Sequence, residues 1–203
     1  MSFFCLLWIP FFYLLRQSIS GGNHSGGVWA LLLGSITAIL QFLLGYLVSP
    51  GGFGVSRWLF GFIDIVSLPV LIPLVLYTLL WLIRGRLGEV DLVTLSLLWL
   101  IPVAGLRAIG WGSSGDPILL ISVPMLWTAL AVGIPFFIKL ILNSIHWKKT
   151  VISVLCIIIL PMLAAGVYWA FFSQHTVIGF LLLFAANIPL ILSLSVDYLK
   201  NRA

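Results

Sequence analysis

Long apolar stretches separated by short polar connections make up almost the whole chain. The apolar runs are Phe3–Leu15, Val28–Val48, Trp58–Ile83, Leu92–Trp111, Pro117–Leu142, Val151–Phe172 and Val177–Leu199. A helix rises 1.5 Å per residue, so about 20 mainly apolar residues are needed to cross the hydrocarbon of a bilayer. Six of the runs reach that length. The first is shorter; it is expected to span with Trp8, Tyr13 and Arg16 as interface anchors, the alternative being a segment that enters one leaflet only. The pattern predicts an all-α fold, a polytopic transmembrane helical bundle of about seven helices, with residues 1–203 as a single integral membrane domain.

The connections fit this reading. Gly21 to Gly27 and Pro50 to Gly54 are glycine-rich loops, Arg84 to Asp91 is a charged turn, and Gly112 to Asp116 is tight. Short connections make consecutive helices antiparallel and adjacent in space. Counting Lys and Arg on alternate sides then gives an orientation, because cytoplasmic loops carry the excess of positive charge. Arg16, Arg84, Arg86, Lys139, Lys148, Lys149, Lys200 and Arg202 fall on one side, against Arg57 and Arg107 on the other. The first side and the C-terminus are expected to be cytoplasmic, in what reads best as a bacterial cytoplasmic membrane. Trp29, Trp81 and Trp147 at the inner ends, with Trp58, Trp111 and Trp169 near the outer ends, match an aromatic belt. Trp99 and Trp127 lie deeper and read as packing residues. The Asn23-His24-Ser25 sequon falls on the expected cytoplasmic side, which argues against its use.

Composition narrows the classes further. The chain of 203 residues is 62% hydrophobic and 7% charged, with a mean hydropathy of +1.24. Soluble domains carry roughly 25% charged residues, so lipid is the expected solvent and the expected partner. The net charge of +5 is spread singly and in pairs at the ends of apolar runs. Nucleic-acid binders instead gather their charge on one face, so no nucleic-acid partner is expected. Cys5 and Cys156 each sit within an apolar run without a CxxC partner. Arg16 follows the first apolar run instead of preceding it, unlike a cleaved secretory signal.

Prolines recur inside the runs, at Pro10, Pro69, Pro73, Pro102, Pro124, Pro135, Pro161 and Pro189. Each removes a backbone donor, and in lipid the freed carbonyl must find another partner. Membrane helices tolerate proline, yet transporters also use broken helices to build midplane sites. Ser67-Leu68-Pro69 with Pro73, and Asn187-Ile188-Pro189, are the breaks best placed for function. Small residues four apart (Ala104, Ala108 and Gly112; Ala129 and Gly133; Gly166 and Ala170) predict close helix packing, within the chain or against a partner.

Few polar groups lie at depth. Asp64 and Arg107 fall at similar distances from the outer ends of antiparallel helices. A lone charge there costs about 2.5–3.5 kcal/mol, so the two are expected to pair, either as a structural salt bridge or as the wall of an outward-facing cavity for an ion or an acidic or zwitterionic group. Arg57 and Asp116 would enlarge that cluster. Gln41 and Asn187 lie near the midplane, with Thr37 one turn from Gln41; such groups bond helix to helix, or line a transport path. The candidate substrate- or ion-binding residues are therefore Asp64, Arg107, Asn187 and Gln41.

No catalytic residues, no metal site and no cofactor are expected. His24, His146 and His175 all fall in loops, and no GxSxG, HExxH or phosphate loop occurs. The function expected from this pattern is transport, by a small permease or by the membrane-embedded subunit of a larger complex. The alternatives are a non-catalytic assembly or scaffold subunit, alone or as a homo-oligomer, and a lipid-acting membrane enzyme, which the missing acid–base pair disfavours.

Overall fold

The computed structural model of the chain describes residues 2–20, 27–47, 59, 62–83, 91–111, 117–143 and 146–200. No strand occurs among them, and seven helices do. Helix α1 is Ser2–Ser20 and α2 is Gly27–Leu47; α3 covers 62–83, wound as a π-helix over Phe62–Leu71 and as an α-helix over Ile72–Ile83. Helix α4 is Leu92–Trp111, α5 Pro117–Leu142, α6 Trp147–Phe172 and α7 Thr176–Lys200. Among the described residues, three helical segments are long and apolar enough to cross a membrane: Ile121–Leu142, Trp147–Phe171 and Thr176–Val196.

Helices α4 and α5 form the centre. Every residue from Leu92 to Leu100 is buried, and so is almost every residue from Ser122 to Phe137. A helix apolar on all sides belongs inside a bundle, surrounded by other helices. Helices α1 and α2 pack on α4, α6 and α7 pack on α5, and the π-wound start of α3 touches α2, α4, α5 and α6. The outer faces are apolar too. On α6, Ile152, Leu155, Ile158, Ile159 and Met162 are all exposed, while Leu160, Ala164, Ala165, Val167 and Tyr168 are buried against the bundle. An apolar stripe of that length has no favourable partner in water and is suited to lipid.

Close approach is concentrated at glycines. A methyl group on Gly34 would run into the Trp99 carbonyl and lie 2.8 Å from its Cα, so α2 and α4 touch backbone to backbone. On Gly133 it would meet Leu160 Cδ2 at 2.7 Å and Pro189 Cβ at 3.1 Å, which ties α5 to α6 and α7. Between α6 and α7 the chain reverses through Gln174, whose φ of 64° is left-handed. His175 donates to the Ala170 carbonyl and Gln174 to that of Phe171, which satisfies the last carbonyls of α6 in a Schellman cap.

Two expectations change in detail. The first helix continues past Leu15 to Ser20. Arg16, expected as an interface anchor, is buried, with its Nη2 3.6 Å from Asp91 Oδ2. Asp91 also caps α4: its Oδ1 accepts from the Val93 amide at 3.2 Å, and its Oδ2 accepts from Thr94 Oγ1 at 2.5 Å. A carboxylate at a helix N-terminus is favoured by the local dipole, and here the same group compensates a guanidinium drawn inside. The pair places the C-terminal end of α1 beside the N-terminal end of α4.

Candidate functional site

Two prolines four residues apart dominate α3. In π winding, Pro69 withholds its amide from the carbonyl five residues back, Asp64; in α winding it withholds it from the carbonyl four back, Ile65. Pro73, by the same α spacing, withholds its amide from the Pro69 carbonyl. A buried carbonyl without a donor costs about 1–3 kcal/mol, and lipid offers no replacement.

Each of those three carbonyls receives a side-chain donor from a different neighbouring helix. Gln41 of α2 donates through Nε2 to the Asp64 carbonyl at 2.6 Å. Trp127 of α5 donates through Nε1 to the Ile65 carbonyl at 2.9 Å. Trp99 of α4 donates through Nε1 to the Pro69 carbonyl at 3.2 Å. All three donors are buried, the two indoles at 1% exposure or less. The π-wound segment is therefore held by side-chain donors from α2, α4 and α5 at carbonyls beside its two prolines.

Gln41 does a second thing. Its Nε2 also lies 3.2 Å from Asp64 Oδ1, so one amide group holds both the backbone and the carboxyl of a residue that is 1% exposed. Two of the candidate residues, Gln41 and Asp64, are thus brought together. The side chain of Arg107 lies outside the described residues, and with it the expected pair with Asp64; Arg57 and Asp116 lie outside them as well.

Asn187 stands elsewhere, on α7. Its Nδ2 donates to the Leu183 carbonyl of its own helix at 2.8 Å. The carbonyl that Pro189 leaves unserved is that of Ala185, so Asn187 does not answer its neighbour's break. Pro189 itself packs toward Gly133. Thr37 is turned back onto its own helix, donating to the carbonyls of Leu33 and Gly34 at 3.0 and 2.9 Å. Ser96 and Thr128 do the same to Leu92 and Pro124, a common way for hydroxyls to be satisfied in apolar helices.

Sequence reasoning missed the two tryptophans as donors. The signal was present: a deeply buried indole N–H needs an acceptor, and a proline-broken helix has spare ones. Chemically the site offers a buried carboxylate on a helix segment whose bonding is supplied from outside. No family model, no curated protein and no solved structure matches the chain.

Proposed function

We propose that this chain is a membrane transport protein of about seven spans, acting as a small permease or as the membrane-embedded subunit of a larger transport complex, with Asp64 at its working site and the π-wound part of α3 as its moving element. The observation that carries the proposal is the coincidence of a buried carboxylate with a proline-interrupted segment whose carbonyls take side-chain donors from Gln41, Trp99 and Trp127. An ionisable group at depth in an apolar bundle is expensive and marks an ion or substrate path by default. π segments recur at functional sites, and transporters build theirs from discontinuous helices. Donors on three separate helices can be released one at a time, which lets the segment change register without unfolding.

The basic end of the bundle faces the cytoplasm in this reading, since it gathers most of the Lys and Arg. Proteoliposomes holding the protein should dissipate an imposed H⁺, Na⁺ or K⁺ gradient faster than empty vesicles. Asp64→Asn keeps an acceptor for Gln41 and should return the rate to that of empty vesicles while the protein still folds and inserts. Absence of flux for all three ions, together with elution as a single component from native membranes in mild detergent, overturns both forms of the proposal.

A scaffold role is the second reading, and one observation favours it: Gln41, Trp99, Trp127 and Asn187 all spend donors on backbone carbonyls. A subunit that only holds others in place needs no more chemistry than that. It predicts that Asp64→Asn alters stability or assembly and leaves flux at background in wild type and variant alike.

A further inference from the structure

Away from α3, at the end of the bundle where Arg16 meets Asp91, two cavities lie side by side. The larger, about 450 Å³, opens between α5 and α6 and is lined by Phe137, Leu140, Asn143, His146, Lys149 and Ile152, among others. The smaller, about 170 Å³, reaches inward to α1, α4 and α7, where Arg16, Lys139 and Ser193 line it. Leu140 and Asn143 belong to both walls, so the two form one cleft across the end of α5.

The cleft is basic at one level and apolar at the next. Arg16, Lys139 and Lys149 bring three cations to it, with the Asn143 amide and the Ser193 hydroxyl as further donors, and no carboxylate lines it among the described residues. Asp91 meets Arg16 from the α4 side. Leu140 lies beside Lys139 and Ile152 one turn inward from Lys149, and they are 41% and 60% exposed. Donors at the bundle end above an apolar wall complement a molecule with an anionic head and a hydrocarbon tail. A free anion would use the rim and leave the wall uncovered.

We propose that this cleft holds the phosphate headgroup of an anionic phospholipid of the surrounding leaflet, with Lys139 and Lys149 as its exchangeable cationic contacts, Arg16 at its inner end, and an acyl chain along Leu140 and Ile152. The site does not depend on the transport reading. It requires only that α5 and α6 stand in lipid.

The test compares thermal midpoints of the full chain in phosphatidylcholine vesicles, in vesicles that also contain phosphatidylglycerol, and in phosphatidylcholine with inorganic phosphate. Phosphatidylglycerol should raise the wild-type midpoint by roughly 5 °C. Inorganic phosphate should not. The double variant Lys139→Gln/Lys149→Gln should lose the rise. Lys148→Gln, which changes an exposed lysine beside the Trp147 ring and outside the cleft, should keep it. A full rise in the double variant, an equal loss in Lys148→Gln, or a rise with phosphate alone would each overturn the lipid site, the last assigning it to the free ion. If the double variant does not fold, mass spectrometry of the wild-type protein released from detergent decides: bound anionic phospholipid supports the site, and its absence overturns it.

Discussion

Trp127 Nε1 donates across the bundle to the carbonyl of Ile65, 2.9 Å away, the carbonyl whose α-helical donor would have been the missing amide of Pro69. A residue on α5 thus adds a side-chain donor to the backbone of α3. Trp99 repeats the arrangement for Pro69 and Pro73. The two largest fully buried side chains among the described residues both donate to α3 carbonyls.

Removing such a donor should cost more than removing an ordinary packing contact. Trp127→Phe keeps most of the apolar volume and deletes the N–H, so stability in detergent should fall by about 1–2 kcal/mol. Pro69→Ala restores an amide to the segment. Where the segment then rewinds as an α-helix, the new amide reaches the Ile65 carbonyl, so in the Trp127→Phe background it should recover part of the loss, giving a non-additive cycle. Additivity in thermal or denaturant unfolding would mean that the indole and the proline are not addressing the same carbonyl.

That coupling also marks where sequence reading stops. The helices were legible because runs of apolar residues are long and their breaks are polar, and both are local properties. The π winding was not, since Pro69 and Pro73 show only that bonds are lost, and the replacing donors lie 62 and 30 residues away in the chain. Gln41 and Asp64 each stood out as polar groups at depth, but their meeting depends on how α2 packs on α3. Arg16 looked like an anchor because its partner, Asp91, is remote in sequence and reaches it only once α1 lies against α4.

Gly34 and Gly105 give a paired test of packing. A methyl on Gly34 meets the Trp99 backbone, which cannot move without shifting α4, so Gly34→Ala should destabilise by about 1–3 kcal/mol. Gly105 has nothing within 4 Å of the corresponding position. There alanine only restricts the unfolded chain and favours the helix, so Gly105→Ala should be neutral or stabilising by about 0.5–1 kcal/mol. Thermal unfolding of the two variants side by side checks the contact; equal effects would remove it.

The Arg16–Asp91 pair separates a cap from a charge. Asp91→Asn keeps an oxygen for the Val93 amide and loses the ion pair, whereas Asp91→Ala loses both. Breaking a buried pair costs about 3–5 kcal/mol, and losing an N-cap about 1 kcal/mol more. Asp91→Ala should therefore unfold at the lower temperature, and Arg16→Met in either background should return part of the loss. No recovery on removing Arg16 would show that the pair contributes nothing.

The orientation proposed for the bundle has a direct readout. Asn143 and Thr176 are both exposed and lie beyond opposite ends of α6. In a background without Cys5 and Cys156, Asn143→Cys should react with an impermeant maleimide only after the membrane is opened. Thr176→Cys should react in intact cells. The reverse pattern would invert the orientation, and labelling of both from outside would remove α6 as a span.

The proposed pairing of Asp64 with Arg107 is tested by asking whether their losses add. Asp64 is 1% exposed and receives the Gln41 amide at its carboxyl. In an apolar bundle a carboxylate is stabilised by a cation at matching depth. If Arg107 supplies the cation, Arg107→Gln leaves Asp64 charged and alone, and Asp64→Asn leaves Arg107 in the same position. Each single variant should then lose stability, while Asp64→Asn/Arg107→Gln, with no charge to compensate, should lose less than the sum by about 0.5–3 kcal/mol. Additive losses in detergent melting curves would show that the two side chains do not interact. The pairing also has a transport readout: an Asp64 that works through its pair with Arg107 loses flux in both single variants.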